Sequence, residues 1–225
     1  MADYIAFLID TSGLATSSIR SRISAISYFY KTRLNSNPTK SFASDIMLKN
    51  LNKRSCSRKR LPISMEILQQ LLLATYSHKS KYYFHMFYTM YMLMYLLAMR
   101  ISELLHYSKK FNHALNLDDI KMAKKSVYVT IKSGKHNMEP MVYKVNCTSR
   151  LLWHIKEYLR LRGNSPGPLF IHESGSTMKR NFFTKQLKED LLSMGFNDAD
   201  FNTHSFRVGR TSDLAVGGRL TDRSP

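Results

Sequence analysis

Cysteine is scarce in this sequence, and the scarcity excludes two classes of protein. The only two cysteines, Cys56 and Cys147, lie far apart along the chain, so neither a disulfide framework nor a cysteine-based zinc site is expected. The N-terminal stretch Met1–Asp10 also lacks the basic residues that begin a secretory signal. We therefore expect a protein that is not secreted and that works in the nucleus of a eukaryote, or otherwise in the cytoplasm.

Acidic residues are also few, and this shortage indicates the kind of partner. The chain has 16 Asp and Glu against 34 Lys and Arg, a formal net charge of +18. Such an excess indicates a nucleic acid or an anionic membrane surface as partner. A basic protein with no such partner is disfavoured, because so much like charge repels itself. Since 44% of the 225 residues are hydrophobic, global disorder is excluded, and one ordinary domain plus a small second one can form.

One long segment has no formal charge. Tyr82–Met99 spans eighteen uncharged residues, which is long enough to suggest a membrane span. However, it contains His85 and five tyrosines, and it continues into Arg100 with the same helical apolar pattern. We therefore predict a buried central helix from about Tyr82 to Tyr107, and no membrane partner.

The chain before this segment predicts a small helical domain and a basic linker. Helices are predicted over Tyr4–Ile9, from a cap at Thr16 or Ser17 onward, and over about Ser44–Leu51. From Lys49 to Arg60 the chain has six basic residues and no acidic one. Two interpretations of this run remain open. It is either a linker that follows a DNA backbone, or a solvated charge run or nuclear-import signal. The basic residues that we assign to DNA contact are Arg20, Arg22, Lys53, Arg54, Arg58, Lys59 and Arg60.

The chain after Pro62 predicts a second, larger domain that is mainly helical with a small β insertion. Ser64 caps its first helix, and a β-branched run predicts a strand that returns through a turn at Ser133–Asn137. The domain boundaries are 1–52 for the helical segment, 53–62 for the linker and 63–225 for the larger domain. The remaining predicted elements are strands Ser126–Ile131 and Met141–Val145, helices Arg150–Leu161 and Arg180–Met194, and a last helix that begins at Asn202–His204.

Four side chains suit a phosphodiester site. Arg100 and Arg207 can hold non-bridging oxygens, Lys135 at the predicted turn can protonate a leaving oxygen, and His204 can orient the phosphate or move a proton. Each has a plainer interpretation as well. Arg100 can pair with Glu103 on its own helix, Lys135 can be an ordinary turn lysine, and His204 with Arg207 can be a surface pair. No cluster of metal ligands is evident in the sequence.

Several segments resemble the tyrosine recombinases. The segments "YLLAMRISELLHYS", "VYVTIKSGKHNMEP" and "FNTHSFRVG" are similar to the family's first arginine motif, its lysine hairpin and its His-x-x-Arg motif. The sequence His-Ser-Phe-Arg within the last motif is most similar to that of integrases of eukaryotic mobile elements. The segment "TSSIRSRISAISYFYKTR" resembles the end of the core-binding domain. All the motifs occur in the family's order, and together they cover nearly the whole chain.

The resemblance implies a fold, a reaction and residue roles. It implies a helical core-binding segment joined to a catalytic domain that grips double-stranded DNA as a C-shaped clamp, with oligomers holding two sites together. The reaction would be strand cleavage through a phosphotyrosine, then rejoining, with no metal or other cofactor. Arg100 and Arg207 would clamp the scissile phosphate with help from His204. Lys135 would be the general acid, with Lys132 as the alternative.

The sequence departs from the family pattern after Arg207. The eighteen residues that follow contain no His, Trp or Tyr, so the nucleophilic tyrosine is absent from this stretch. The core-binding part also lacks its first helices. We therefore expect a truncated DNA-binding protein that is inactive alone. The alternatives are a fragment of an active integrase, completed by missing C-terminal sequence or in trans, and a basic helical adaptor or membrane-associated protein.

Overall fold

The chain forms two compact units. A computed structural model describes residues 1–35, 37–54, 60–106, 113–132 and 139–221. Contacts divide the chain into Met1–Arg58, here called the N-terminal unit, and Lys59–Pro225, the C-terminal unit. The domain boundaries expected from the sequence remain a prediction.

The N-terminal unit is a small three-helix cluster. Its helices are α1 (Ala2–Asp10), α2 (Thr16–Leu34) and α3 (Phe42–Arg54). Ile5 and Leu8 of α1 pack with apolar residues of the other two helices, Ile19, Ile23 and Leu51. The prediction that the Thr16 or Ser17 side chain caps α2 is wrong. Ala15 occupies the cap position and makes no side-chain hydrogen bond there.

Helix α3 extends further than the sequence pattern predicted. It ends at Arg54 rather than near Leu51, so the first part of the basic run is helical. Lysine, arginine and leucine lose little rotamer freedom in a helix, and the sequence from Phe42 to Leu61 contains no proline or glycine that would end it.

The C-terminal unit is mainly helical with one small sheet, which confirms the predicted fold class. Its first helix, α4, begins at the predicted cap, where the Ser64 hydroxyl accepts a hydrogen bond from the Ile67 amide. A 3-10 turn, Thr75–Ser77, follows it. The six helices described in this unit are α4 (Met65–Ala74), α5 (Lys81–Leu96), α6 (Ile101–Leu104), α7 (Ser149–Arg162), α8 (Arg180–Ser193) and α9 (Ser205–Thr221).

The sheet has three antiparallel strands in the order β1–β2–β3. Strand β1 (Ile120–Met122) was not predicted, β2 (Ser126–Ile131) has the predicted bounds, and β3 (Met141–Asn146) extends one residue further. The last β2–β3 pair is Ile131 with Met141. The hairpin residues that follow this pair, 133–138, lie outside the described residues.

The uncharged segment forms the buried centre of the C-terminal unit. Most side chains of α5 are buried, including Tyr91 and Tyr95, which are fully enclosed. Tyr91 packs 5.7 Å from the ring of Phe183 on α8. Among the described residues, no helix combines the length and the apolar character needed to cross a membrane.

The prediction of one continuous helix from Tyr82 to Tyr107 is wrong, because the chain turns sharply just before Arg100. Ala98 adopts a left-handed conformation with φ 46°. The Ala98 amide donates to the Tyr95 carbonyl at 3.1 Å, and the Met99 amide donates to the Met94 carbonyl at 3.0 Å. This pair of bonds is a Schellman motif, which usually has glycine in the left-handed position. Alanine there costs about 1–2 kcal/mol, and its high helix propensity hides the break from sequence reasoning.

Two buried histidines lie between α5 and α7. The Nδ1 atoms of His85 and His154 are 3.2 Å apart. The His154 ring stacks on Tyr88 at 3.5 Å between centroids, and its Nε2 atom is buried without a hydrogen-bond partner. Burial lowers the pKa of His154 to about 3, with His85 and Arg150 adding to the effect. Burial also lowers the pKa of His85, so the pair is neutral at pH 7.

This pair makes the stability of the C-terminal unit fall in mild acid. The unfolded chain takes up a proton at His154 below about pH 6.5, whereas the folded chain resists it until about pH 3. The stabilisation is complete above pH 6.5 and is lost as the pH falls, with about 2 kcal/mol lost by pH 5. Urea unfolding of His154→Phe, which keeps a stacked ring, should show a smaller difference between pH 7 and pH 5. Equal differences in the two proteins would contradict the prediction.

Candidate active site

Arg100 is the N-cap residue of α6 and is paired with an acid of that helix. The Arg100 backbone amide donates to Glu103 Oε2 at 2.7 Å, and its Nη1 donates to Oε1 at 2.8 Å. The Arg100 side chain is 49% exposed, whereas that of Glu103 is only 11% exposed. A guanidinium has five N–H donors in a fixed fork, so the pairing orients Arg100 and leaves most of its donors open to an anion.

His204 and Arg207 lie together at the beginning of α9. His204 is exposed and Arg207 is half-buried, and residues three apart share a helix face. The Asn202 side chain accepts a hydrogen bond from the His204 amide at 2.8 Å, while Ser205 Oγ accepts from the Asn202 amide at 3.1 Å. These local bonds fix the first turn, so its positive end lies beside the two side chains.

The first turns of α9 are also fixed to the start of the C-terminal unit. The Ile63 amide donates to the Ser205 carbonyl at 3.0 Å. Gly209 packs directly on the Ile63 backbone, and a Cβ atom at position 209 would be 1.8 Å from the Ile63 oxygen. Together these two contacts set the position of the turn that carries Arg207.

Helix α9 packs against α5, the helix that leads to Arg100. The rings of Tyr91 and Phe206 stack at 5.7 Å between centroids. One turn further along α5, the Tyr95 hydroxyl hydrogen-bonds Asp213, which lies two turns after Phe206 on α9. Arg210, one turn after Phe206, lies 5.7 Å above the Tyr95 ring. Burial, reinforced by Asp213, raises the pKa of Tyr95 to about 12. The helix that ends just before Arg100 thus lies against the helix that carries Arg207.

The two lysine candidates differ in what the structure describes. Lys135 lies outside the described residues. Lys132 directly follows β2, and its Nζ lies 2.7 Å from Asp119 Oδ2. The same oxygen accepts a hydrogen bond from the Asn116 amide at 2.7 Å. Asp119 is a partner that sequence reasoning missed, since only the antiparallel pairing of β1 and β2 brings the two regions together.

The basic residues assigned to DNA contact belong mainly to the N-terminal unit. Arg20 and Arg22 are exposed on α2, and Arg60 at the start of the C-terminal unit is also exposed. Lys53 and Arg54 end α3. Arg58 and Lys59 lie outside the described residues.

Comparison with known proteins gives the family. A sequence model of the phage integrase family matches residues 63–219, which is more than half of the chain. The chain belongs to the phage integrase family. These proteins are the tyrosine recombinases, so the resemblance found in the sequence motifs is confirmed. The finer likeness to integrases of eukaryotic mobile elements remains a prediction. Comparison with curated protein sequences finds no significant match.

Solved structures of phage integrase family members share the fold of this chain. The XerH recombinase bound to its palindromic difH substrate matches with a TM-score of 0.66 and 18% identity, over 95% of this chain and 60% of that chain. The Tn1549 transposon integrase in complex with circular intermediate DNA matches with a TM-score of 0.64 and 12% identity, over 96% of this chain and 72% of that chain. The XerA recombinase matches with a TM-score of 0.53 and 16% identity, over 96% of this chain and 67% of that chain. At these identities the likeness is one of fold alone, and the present chain spans about three fifths of the XerH chain.

Proposed function

We propose that this protein binds double-stranded DNA and acts in DNA recombination and integration by strand cleavage and rejoining. The observation that carries the proposal is the family match over residues 63–219. That range contains Arg100, Lys135, His204 and Arg207 in the family's order. The packing of α9 against α5 supports a shared site, and the family structures determined with DNA support the choice of ligand.

We assign a role to each candidate residue. Arg100 and Arg207 hold the non-bridging oxygens of the scissile phosphate as negative charge grows in the transition state. His204 is exposed at the start of α9, where it can hydrogen-bond the phosphate or transfer a proton. Lys135 donates the proton to the leaving 5′ oxygen. Lys132 is the alternative donor, and its Nζ already lies 2.7 Å from Asp119, a contact that uses one of the three N–H donors of the ammonium.

The covalent step needs a nucleophile that the stretch after Arg207 does not supply, since it contains no tyrosine. We propose that the 225 residues alone bind DNA without forming a covalent adduct. Cleavage then needs a segment with a tyrosine, supplied in the same chain or by another protomer on the DNA. Incubation with nicked duplex DNA followed by denaturing electrophoresis tests this, because an adduct formed by the 225 residues alone would contradict it.

The Arg207→Ala variant tests the phosphate clamp. Losing one charged contact to a phosphate should weaken duplex binding roughly tenfold. It should also reduce the slope of log affinity against log salt by about one. Fluorescence anisotropy with a labelled duplex at several salt concentrations measures both quantities.

Lys156→Ala is the matched control for this test. It removes one positive charge from an exposed position of α7 and should change affinity much less. Unchanged affinity and salt slope in Arg207→Ala, or equal changes in the two variants, would count against the clamp.

A further inference from the structure

An open cleft lies at the end of α5 remote from Arg100. It has a volume of about 390 Å³ and is formed by the 3-10 turn Thr75–Ser77, the start of α5 and the outer side of α7. Helix α5 has 16 residues, so at 1.5 Å per residue its two ends are roughly 24 Å apart. The cleft is therefore separate from the candidate active site.

Aromatic rings line this cleft, and two of them are open to solvent. Tyr76 is 53% exposed and Trp153 is 49% exposed. Phe84 supports Tyr76 at 4.6 Å between centroids, and the His85 ring meets Trp153 edge to face at 4.8 Å. Large aromatic rings are usually buried. These two instead present free surface, and half-buried Phe84 and buried His85 hold them in place.

The cleft is also positively charged. Lys79, Lys81 and Arg160 contribute three cations, all on exposed residues. Glu157 is the acid in the cleft lining, and it pairs with Arg160 at 2.9 Å. Burial lowers the pKa of His85, so this ring is a neutral part of the cleft floor. Two lysines therefore remain beside the exposed rings without an acidic partner among the residues that line the cleft.

We propose that this cleft binds single-stranded DNA, with unpaired bases stacked on Trp153 and Tyr76 and phosphates held by Lys79 and Lys81. Exposed aromatic rings flanked by cations are the combination that binds unpaired nucleotides, because every base has a π-face and every nucleotide a charge. Duplex DNA keeps its base faces inside the helix and cannot use the rings. The site is distinct from the proposed recombination site and does not depend on it.

Trp153 is the only tryptophan of the chain, so its fluorescence reports on this cleft alone. Titration of the 225-residue protein with octathymidylate should quench the emission to saturation. An abasic octamer with the same phosphates, and a blunt duplex, should produce little quenching. Equal quenching by the abasic octamer would overturn base stacking, and no quenching by octathymidylate would overturn the site. A change in emission with protein concentration alone would show a second copy in the cleft and would also overturn the proposal.

Variants separate this site from the candidate active site. Lys79→Ala/Lys81→Ala should weaken octathymidylate binding roughly tenfold, whereas Lys124→Ala/Lys125→Ala, which removes two exposed lysines elsewhere, should not. Arg100→Ala/Arg207→Ala should lose duplex affinity and keep the quenching. If the two double-lysine variants bind octathymidylate with equal affinity, the cleft proposal fails while the recombination proposal stands.

A labelled octathymidylate tests the stacking without the fluorescence of Trp153. By anisotropy, Trp153→Phe should bind nearly as well as the unaltered protein, because it keeps a ring. Trp153→Ala should bind roughly ten- to hundredfold more weakly. Equal affinity of the alanine and phenylalanine variants would overturn the role of the ring.

Discussion

Gly209→Ala should destabilise the C-terminal unit by more than about 3 kcal/mol, or prevent it from folding. The added Cβ would lie 1.8 Å from the Ile63 oxygen and 2.6 Å from its carbonyl carbon. Both are backbone atoms, so no side chain can rotate away to make room. Relief requires a shift of α9 or of the strand-like stretch at Ile63, and either shift breaks the hydrogen bond from the Ile63 amide to Ser205.

Thermal and urea unfolding measure this effect, with Ser212→Ala as the control. Ser212 lies three residues further along α9 and is exposed, so its replacement should change stability little. If Gly209→Ala folds with α9 displaced, it should also lose duplex affinity, because the displaced turn carries Arg207. A variant with normal stability and normal duplex binding would contradict both the close approach and its link to the site.

Most of the fold of the C-terminal unit could be predicted because its signals are local. The Ser64 cap and the apolar spacing after it mark α4, and the β-branched run gives the bounds of β2 correctly. These patterns depend on residues within one or two turns of each other. The short strand β1 was missed, since three residues give too little periodicity and the strand exists through its pairing with β2.

The break before Arg100 could not be predicted from local signals. Alanine is the strongest helix former, yet Ala98 takes the left-handed position that usually indicates glycine. Tertiary packing of α5 overrides the local preference and makes Arg100 the N-cap residue of a new helix. The sequence pattern also predicted that this helix continues to Tyr107, which lies outside the described residues.

Only part of the arrangement of the candidate residues could be predicted from the sequence, and their roles remain a prediction. His204 and Arg207 are three residues apart, so their shared face follows from helix geometry. The sequence also suggested that Arg100 pairs with Glu103 on its own helix, and the structure contains this salt bridge. The packing of Tyr91 on Phe206 joins residues more than a hundred positions apart, and no sequence pattern carries that information.

A buried carboxylate at the centre of the C-terminal unit gives the second large effect. Asp190 is 3% exposed and accepts a hydrogen bond from the Tyr91 hydroxyl at 2.6 Å. It also accepts from Gln186 Nε2 at 2.9 Å and lies 3.1 Å from His78 Nε2. Burial and the nearby carboxylate raise the pKa of Tyr91 well above its ordinary value, so the phenol stays protonated and donates.

Asp190→Ala should destabilise the unit by about 3–5 kcal/mol, because it leaves the hydroxyl of a fully buried tyrosine without an acceptor. Asp190→Asn should cost less, since its amide oxygen can still accept from Tyr91. Urea unfolding at pH 7 measures both. Asp198→Ala is the control, because Asp198 pairs with Lys188 at the surface and its loss should have a small effect.

A double-mutant cycle decides whether Tyr91 and Asp190 act as one unit. Tyr91→Phe alone removes a satisfied donor and leaves a buried carboxylate with one partner fewer, so it should destabilise the protein measurably. In the Asp190→Ala background the same change removes a hydroxyl that already lacks its acceptor, and it should cost nothing or restore stability. Strictly additive costs would show that the 2.6 Å contact carries no coupling energy. The destabilisation by Asp190→Ala would then have to come from the cavity and from the contacts with His78 and Gln186.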